Sequence, residues 1–181
     1  MEALRTFVRA VDQINEAVGR AVAWLTLAMV LIAFAVVILR YVYAVGWVWL
    51  QESYVWLHGV VFMLGAGYTL LHDGHVRVDI FYRPAGPRAK ALVDLLGALL
   101  LLLPTVGLIV LVSGGYVVDS WLRLEQSREA GGLPALFLLK SVILLFCGLL
   151  GLQGLALAAR SLLVLRGDPG FRPDAEERGP L

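Results

Sequence analysis

Four stretches of this chain run for about 19 residues or more without Asp, Glu, Lys or Arg: Ala21 to Leu39, Ser53 to Leu71, Leu95 to Val118 and Ser141 to Ala159. Only His58 interrupts the second of them. Roughly 20 helical residues cross the ~30 Å hydrocarbon core of a bilayer, so each run is long enough to span one. In lipid the backbone must satisfy its own hydrogen bonds, and segments this long and continuous do so as helices, not as barrel strands. The whole chain, at 60% hydrophobic and 16% charged residues, is more apolar than one soluble core of 181 residues could hide. The expected fold is an all-α integral membrane protein with four transmembrane helices over about 21–40, 53–71, 92–118 and 135–159, forming a membrane domain from 21 to 160.

Orientation follows from Lys and Arg. Arg5, Arg9 and Arg20 precede the first span, Arg77, Arg83, Arg88 and Lys90 occupy the middle loop, and Arg160, Arg166, Arg172 and Arg178 follow the last span. The opposite side holds only Arg40, Arg123, Arg128 and Lys140. The positive-inside tendency therefore places both termini and the middle loop in the cytoplasm. A net charge of +1 points to no acidic partner and no nucleic acid.

Before the first span, Leu4, Phe7, Val8, Val11, Ile14 and Val18 recur at three- and four-residue spacing. Arg5, Arg9, Asp12, Glu16 and Arg20 are assigned to the other face. Residues 1–20 thus read as an amphipathic N-terminal helix. It lies in the headgroup boundary of the membrane lipids, or packs on a partner, or simply extends the first span; the pattern fits all three. A cleaved signal sequence fits less well, because the apolar run is long and its leader mixes acids with arginines. Gly86-Pro87 and Leu133-Pro134 mark the starts of the third and fourth helices, where a proline's missing N–H costs nothing. Pro104 is expected to bend the third helix. The tail over 161–181 is rich in Pro, Gly and charge from Gly167 onward, which predicts disorder.

Small residues form stripes on the last two spans: Gly148, Gly151, Gly154 and Ala158 on the fourth, and Gly97, Pro104, Gly107 and Gly114 on the third. Such stripes let helices approach closely in lipid. They serve either packing within the bundle or a docking face for another membrane subunit. Trp24, Trp47, Trp49, Tyr41, Tyr43 and Tyr54 gather near the span ends, as depth anchors or, less simply, as a binding cage.

Site chemistry is sparse. The single cysteine, Cys147, lies mid-span and reads as an apolar filler, which excludes thiol–disulfide redox work. His58 is the one histidine deep in a span, so paired-histidine haem ligation has no second ligand at its depth, and a satisfied core histidine is the simpler expectation. No metal-ligand cluster, phosphate-cradling loop or nucleophile–base pair stands out, and no internal repeat suggests the halves of a self-sufficient transporter. The expectation is a non-enzymatic chain with no cofactor and no metal. Charge at the membrane is confined to the span ends, at Glu52 and Lys140.

The block Trp49-Leu50-Gln51-Glu52, followed by Trp56-Leu57, Gly65-Ala66, Tyr68 and His75-Val76-Arg77-Val78-Asp79, resembles the small membrane subunit of tripartite ATP-independent periplasmic (TRAP) transporters, the DctQ-like family. The likeness is good from about Trp47 to Asp94. Beyond it, the length, the four-helix plan, the inside-facing termini and Leu133-Pro134 also agree. The resemblance implies a multi-pass protein of the bacterial inner membrane that clamps a large, sodium-driven permease subunit. A periplasmic substrate-binding protein would deliver an organic acid to that large subunit. It assigns this chain no catalytic, cofactor or ion-binding residue. Two other classes stay open: a membrane anchor of a redox complex, which a haem spectrum would reveal, and a stand-alone carrier or channel, which flux through the chain alone would reveal.

The candidate assembly residues are Trp49, Glu52, Trp56, His75, Arg77, Asp79, Gly148, Gly151 and Gly154. At the start of its helix, Glu52 either complements the helix dipole or pairs with a cation on a partner subunit. His75 to Asp79 form either an extended segment or the start of an interfacial helix, in which Asp79 and Arg83 would pair at i,i+4. A structured element is expected there, because Val78, Ile80, Phe81 and Tyr82 favour burial.

Overall fold

The computed structural model describes residues 2–76 and 79–168, the side chains of Asp79 and Phe81 excepted. Every regular element among them is helical, and four helical stretches are long and apolar enough to cross a membrane. The elements are α1 (Glu2–Tyr41), α2 (Val48–Leu71), the single turn α3 (Asp79–Tyr82), α4 (Pro87–Gly97), α5 (Leu103–Leu122) and α6 (Leu136–Leu165). A π-helical turn, Ala98–Leu102, joins α4 to α5, so the third span is one rod over Pro87–Leu122. Pro104 accounts for that turn: it lacks an N–H and its ring crowds the carbonyl four residues back, and Leu103 N–H bonds Ala98 O one residue further than usual.

The fourth span is the spine. α6 packs against α1, α2, α4 and α5, and 44% of its most apolar window is buried, against 6%, 6% and 11% in the other three spans. The α1–α2 pair lies along α6, as does the α4–α5 rod. Three spans therefore turn most of their apolar surface outward, which lipid or a membrane partner can cover.

The amphipathic segment does not form an element of its own. It continues into the first span as one 40-residue helix, about 60 Å long at 1.5 Å per residue. Of the three arrangements the sequence allowed, the extension is the one observed. Its apolar face lies on the spine, where Val8 and Val11 form a buried cluster with Ala156 and Ala159, flanked by Leu4 and Phe7. Ile14 points away and is exposed, while Asn15 takes the buried position. The face is thus Val8, Val11, Asn15, Gly19 and Val22, one step round from the run of apolar letters.

Helix limits differ from expectation in instructive ways. α2 begins at Val48, so Glu52 lies one turn inside the helix and not at its start. α4 does begin at Pro87, with Gly86 as its extended cap. α6 begins at Leu136, because Ala135 adopts a left-handed φ of 78°. It then runs to Leu165, past the expected end at residue 159. Asp168, assigned from sequence to a disordered tail, is buried, because Arg5 grips its carboxylate with Nε at 2.8 Å and Nη2 at 2.6 Å. That pair also places the N-terminus and the end of α6 at the same end of the bundle. Residues 169–181 lie outside the described residues, so the rest of the expected tail is not described.

In the middle loop, α3 is a helical turn, and the Tyr82 hydroxyl donates to Asp94 Oδ2 at 2.7 Å. Ile80, expected to seek burial, is 76% exposed. His58 differs too: it is exposed on the outer side of α2, stacked on Phe62, and is not a core histidine.

Candidate assembly site

Between Asn15 on α1 and Tyr68 on α2 the helices cross through two glycines. A Cβ placed on Gly19 would fall 2.2 Å from the Tyr68 ring, and one on Gly67 would fall 2.0 Å from Asn15 Oδ1 and 3.4 Å from the Leu149 backbone. Each helix thus seats a side chain of the other in a gap that only glycine leaves. Asn15 Nδ2 donates to Gln153 Oε1 on α6 at 2.8 Å, while its own Oδ1 is buried without a hydrogen-bond partner against Gly67. A ladder continues from there along α1 and α6. Gln153 Nε2 donates to Asp12 Oδ1 at 3.0 Å, Arg160 Nη2 to Asp12 Oδ2 at 2.7 Å, and Arg5 closes on Asp168. To the side, Glu16 meets Arg20 at 2.7 Å and His72 Nε2 at 2.8 Å, which ties α1 to the end of α2.

The opposite end of the bundle is held by a second polar group. Glu52 accepts hydrogen bonds from the Ser127 hydroxyl and, at 2.6 Å, from the Leu133 backbone N–H. Both donors belong to the loop between α5 and α6. That loop folds on itself through Ser127 N–H to Leu133 O at 3.1 Å and Gly132 N–H to Glu129 O at 2.9 Å. Gly131 turns with a φ of 76°, and a Cβ on Gly132 would lie 2.7 Å from Glu52 Oε2. The paired glycines therefore let the loop reach α2. Beside it, Glu125 bonds Lys140 and the Ser120 hydroxyl, and Lys140 sits 3.8 Å from the Tyr116 ring centroid. The hydrogen bonds from Lys140 and then Ser120 hold the Glu125 carboxyl below its ordinary range. Both carboxylates strap the loop to helices of the same chain.

The residues expected to form an assembly site are not brought together. Trp49 is exposed and stacks on Trp47 at the N-terminal end of α2, one turn from Glu52, and Trp56 is half-buried further along it. His75 sits exposed in a bend beyond the far end of α2, and Asp79 opens α3. Arg77 lies outside the described residues. The glycines of α6 divide. Gly154 is buried against Leu102 and Leu103, Gly151 faces Val106, and Gly148 opens outward. Two of the three therefore serve the seam between α6 and the α4–α5 rod. Gly97, Gly107 and Gly114 of the third span have open space beside them.

Sequence reasoning passed over Asn15, Gly19, Gly67 and Gln153. Gln153 was visible as an amide inside a charge-free run, and Asn15 as a polar residue four after Val11 on the apolar face. Among the described residues, no group of three or more His, Cys, Asp and Glu gathers to hold a metal ion.

No curated protein and no solved structure gives a match to the chain. A family model described as "Tripartite ATP-independent periplasmic transporters, DctQ component" matches residues 29–164. That range takes in the last third of α1, all of α2 and of the α4–α5 rod, and nearly all of α6. The chain accordingly belongs to the DctQ family and is a small permease component of a TRAP transporter.

Proposed function

We propose that this small permease component acts as a scaffold for the large permease subunit of a sodium-driven, binding-protein-dependent importer of an organic acid carrying a carboxylate. The observation that supports a scaffold is how the polar groups are used. Glu52, Glu125 with Lys140, Glu16 with His72, and Asp12 with Arg160 all engage partners within the chain at the two ends of the spans. Between them the large exposed side chains are aliphatic and aromatic, with the imidazole of His58 as the exception. Helices braced at both ends and apolar at the waist suit a fixed membrane wall against which another subunit moves. Substrate and sodium are handled by the large subunit, a periplasmic substrate-binding protein docks transiently, and membrane lipids cover the remaining apolar faces.

The test is reconstitution in liposomes. This chain alone is expected to give no organic-acid uptake under a sodium gradient, and uptake is expected only when the large subunit and the binding protein are also present. Uptake by this chain alone would overturn the scaffold reading.

In the bacterial inner membrane, the charge asymmetry puts both termini and the 73–90 loop on the cytoplasmic side. Single cysteines in a Cys147→Ala background are expected to react with an impermeant maleimide in intact cells at Tyr43 and Glu129 and not at His75. Labelling of His75 would reverse the orientation.

A further inference from the structure

His58 is the only Asp, Glu, Lys, Arg or His within any of the four charge-free runs. It lies six residues from Glu52, roughly 9 Å of helix rise, and further still from the other end of α2. A histidine side chain is too short to reach either interface from there. The structure turns it outward, stacked on the ring of Phe62, and among the described residues its ring nitrogens find no hydrogen-bond partner. Hydrocarbon offers none either, so an imidazole at this depth costs free energy unless something other than lipid covers it.

The surface around it has the form of a helix seam. Val55 and Phe62 are both exposed, and a Cβ on Gly65 would meet nothing within 4 Å. Positions 55, 58, 62 and 65 alternate steps of three and four, the repeat by which one helix keeps a single edge against another. Gly65 leaves room for a close backbone approach. The outward face of α5 is different in kind: Leu108, Leu111 and Val112 are exposed and purely aliphatic, which suits lipid tails.

We propose that the α2 face formed by Val55, His58, Phe62 and Gly65 docks a membrane-spanning helix of the large permease subunit, and that this helix presents a hydrogen-bonding group at the depth of His58. The occupant is a protein helix and not lipid because the imidazole needs a polar partner. It is the large subunit and not a second copy because the family is one component of a tripartite transporter; the proposal rests in this on the function argued above.

The experiment places the photo-crosslinker p-benzoylphenylalanine at position 55 or 62, and separately at 108 or 111, in the chain co-expressed with the large subunit. Adducts with the large subunit are expected from 55 and 62 and not from 108 and 111. Adducts from 108 or 111 only, adducts joining two copies of this chain through 55 or 62, or no adduct from 55 and 62 while the complex still purifies would each overturn the docking face. Failure of the wild-type chain to purify with the large subunit would instead remove the scaffold function, and the docking face with it.

A second pair of variants reads the histidine itself. His58→Leu is expected to lower recovery of the complex about tenfold, the size of one interhelical hydrogen bond, while the isolated chain melts at or above the wild-type temperature. His58→Gln is expected to retain most of the complex. Equal recovery of wild type and His58→Leu would place the face against lipid and contradict the proposal.

Discussion

Gly67→Leu is expected to destabilise the isolated chain by roughly 3 kcal/mol, the upper part of the range for overpacking a filled site. The added side chain would enter the space of the Asn15 amide, which Gln153 holds from behind, with the Leu149 backbone as the next wall. Neither neighbour is the free end of a flexible side chain. Thermal melting in detergent, with elution profile as a second readout, checks this. Gly65→Leu is the control: it lies on the same helix with open space beside it and should melt as wild type. A Gly67→Leu chain that also melts as wild type would mean that α1 and α2 do not cross through these glycines.

The second large effect is at Glu52. Glu52→Leu removes the acceptor for both Ser127 and Leu133 N–H, and a buried or half-buried donor that loses a charged acceptor costs about 1.5 to 3 kcal/mol. Glu52→Gln keeps one carbonyl oxygen and should lose roughly half as much. The loss is expected in the isolated chain, because both donors belong to it. If the isolated Leu variant melts as wild type and only its complex with the large subunit weakens, Glu52 serves the subunit interface and not the loop.

The two positions show what the letters carried. Glu52 stood out because a carboxylate beside an apolar run is expensive, but its partners are a hydroxyl and a backbone N–H about 80 residues away, and a loop's path is not written in local spacing. Four spans were legible because lipid imposes a length and an apolar composition that no loop imitates. The start at Pro87 was legible for a comparable reason, since proline fixes its own φ. Gly67 was not, because glycine is common in apolar spans, and only the neighbour across the crossing decides which glycine matters. The same ambiguity assigned Gly151 and Gly154 to a docking stripe as readily as to the seam with Val106 and Leu102, where they sit. Asp168 was misplaced because composition reads a Pro- and Gly-rich tail as a unit, whereas one arginine on α1 is enough to hold its first residues.

The central claim is that this chain acts only as part of a larger membrane assembly. The most direct measurement is affinity purification of the tagged chain from membranes that also make the large permease subunit, followed by mass determination of the intact particle. The account predicts a stable particle with a fixed ratio of the two subunits that survives detergent exchange and size exclusion. A chain that elutes alone, fully folded and free of the large subunit, would contradict it.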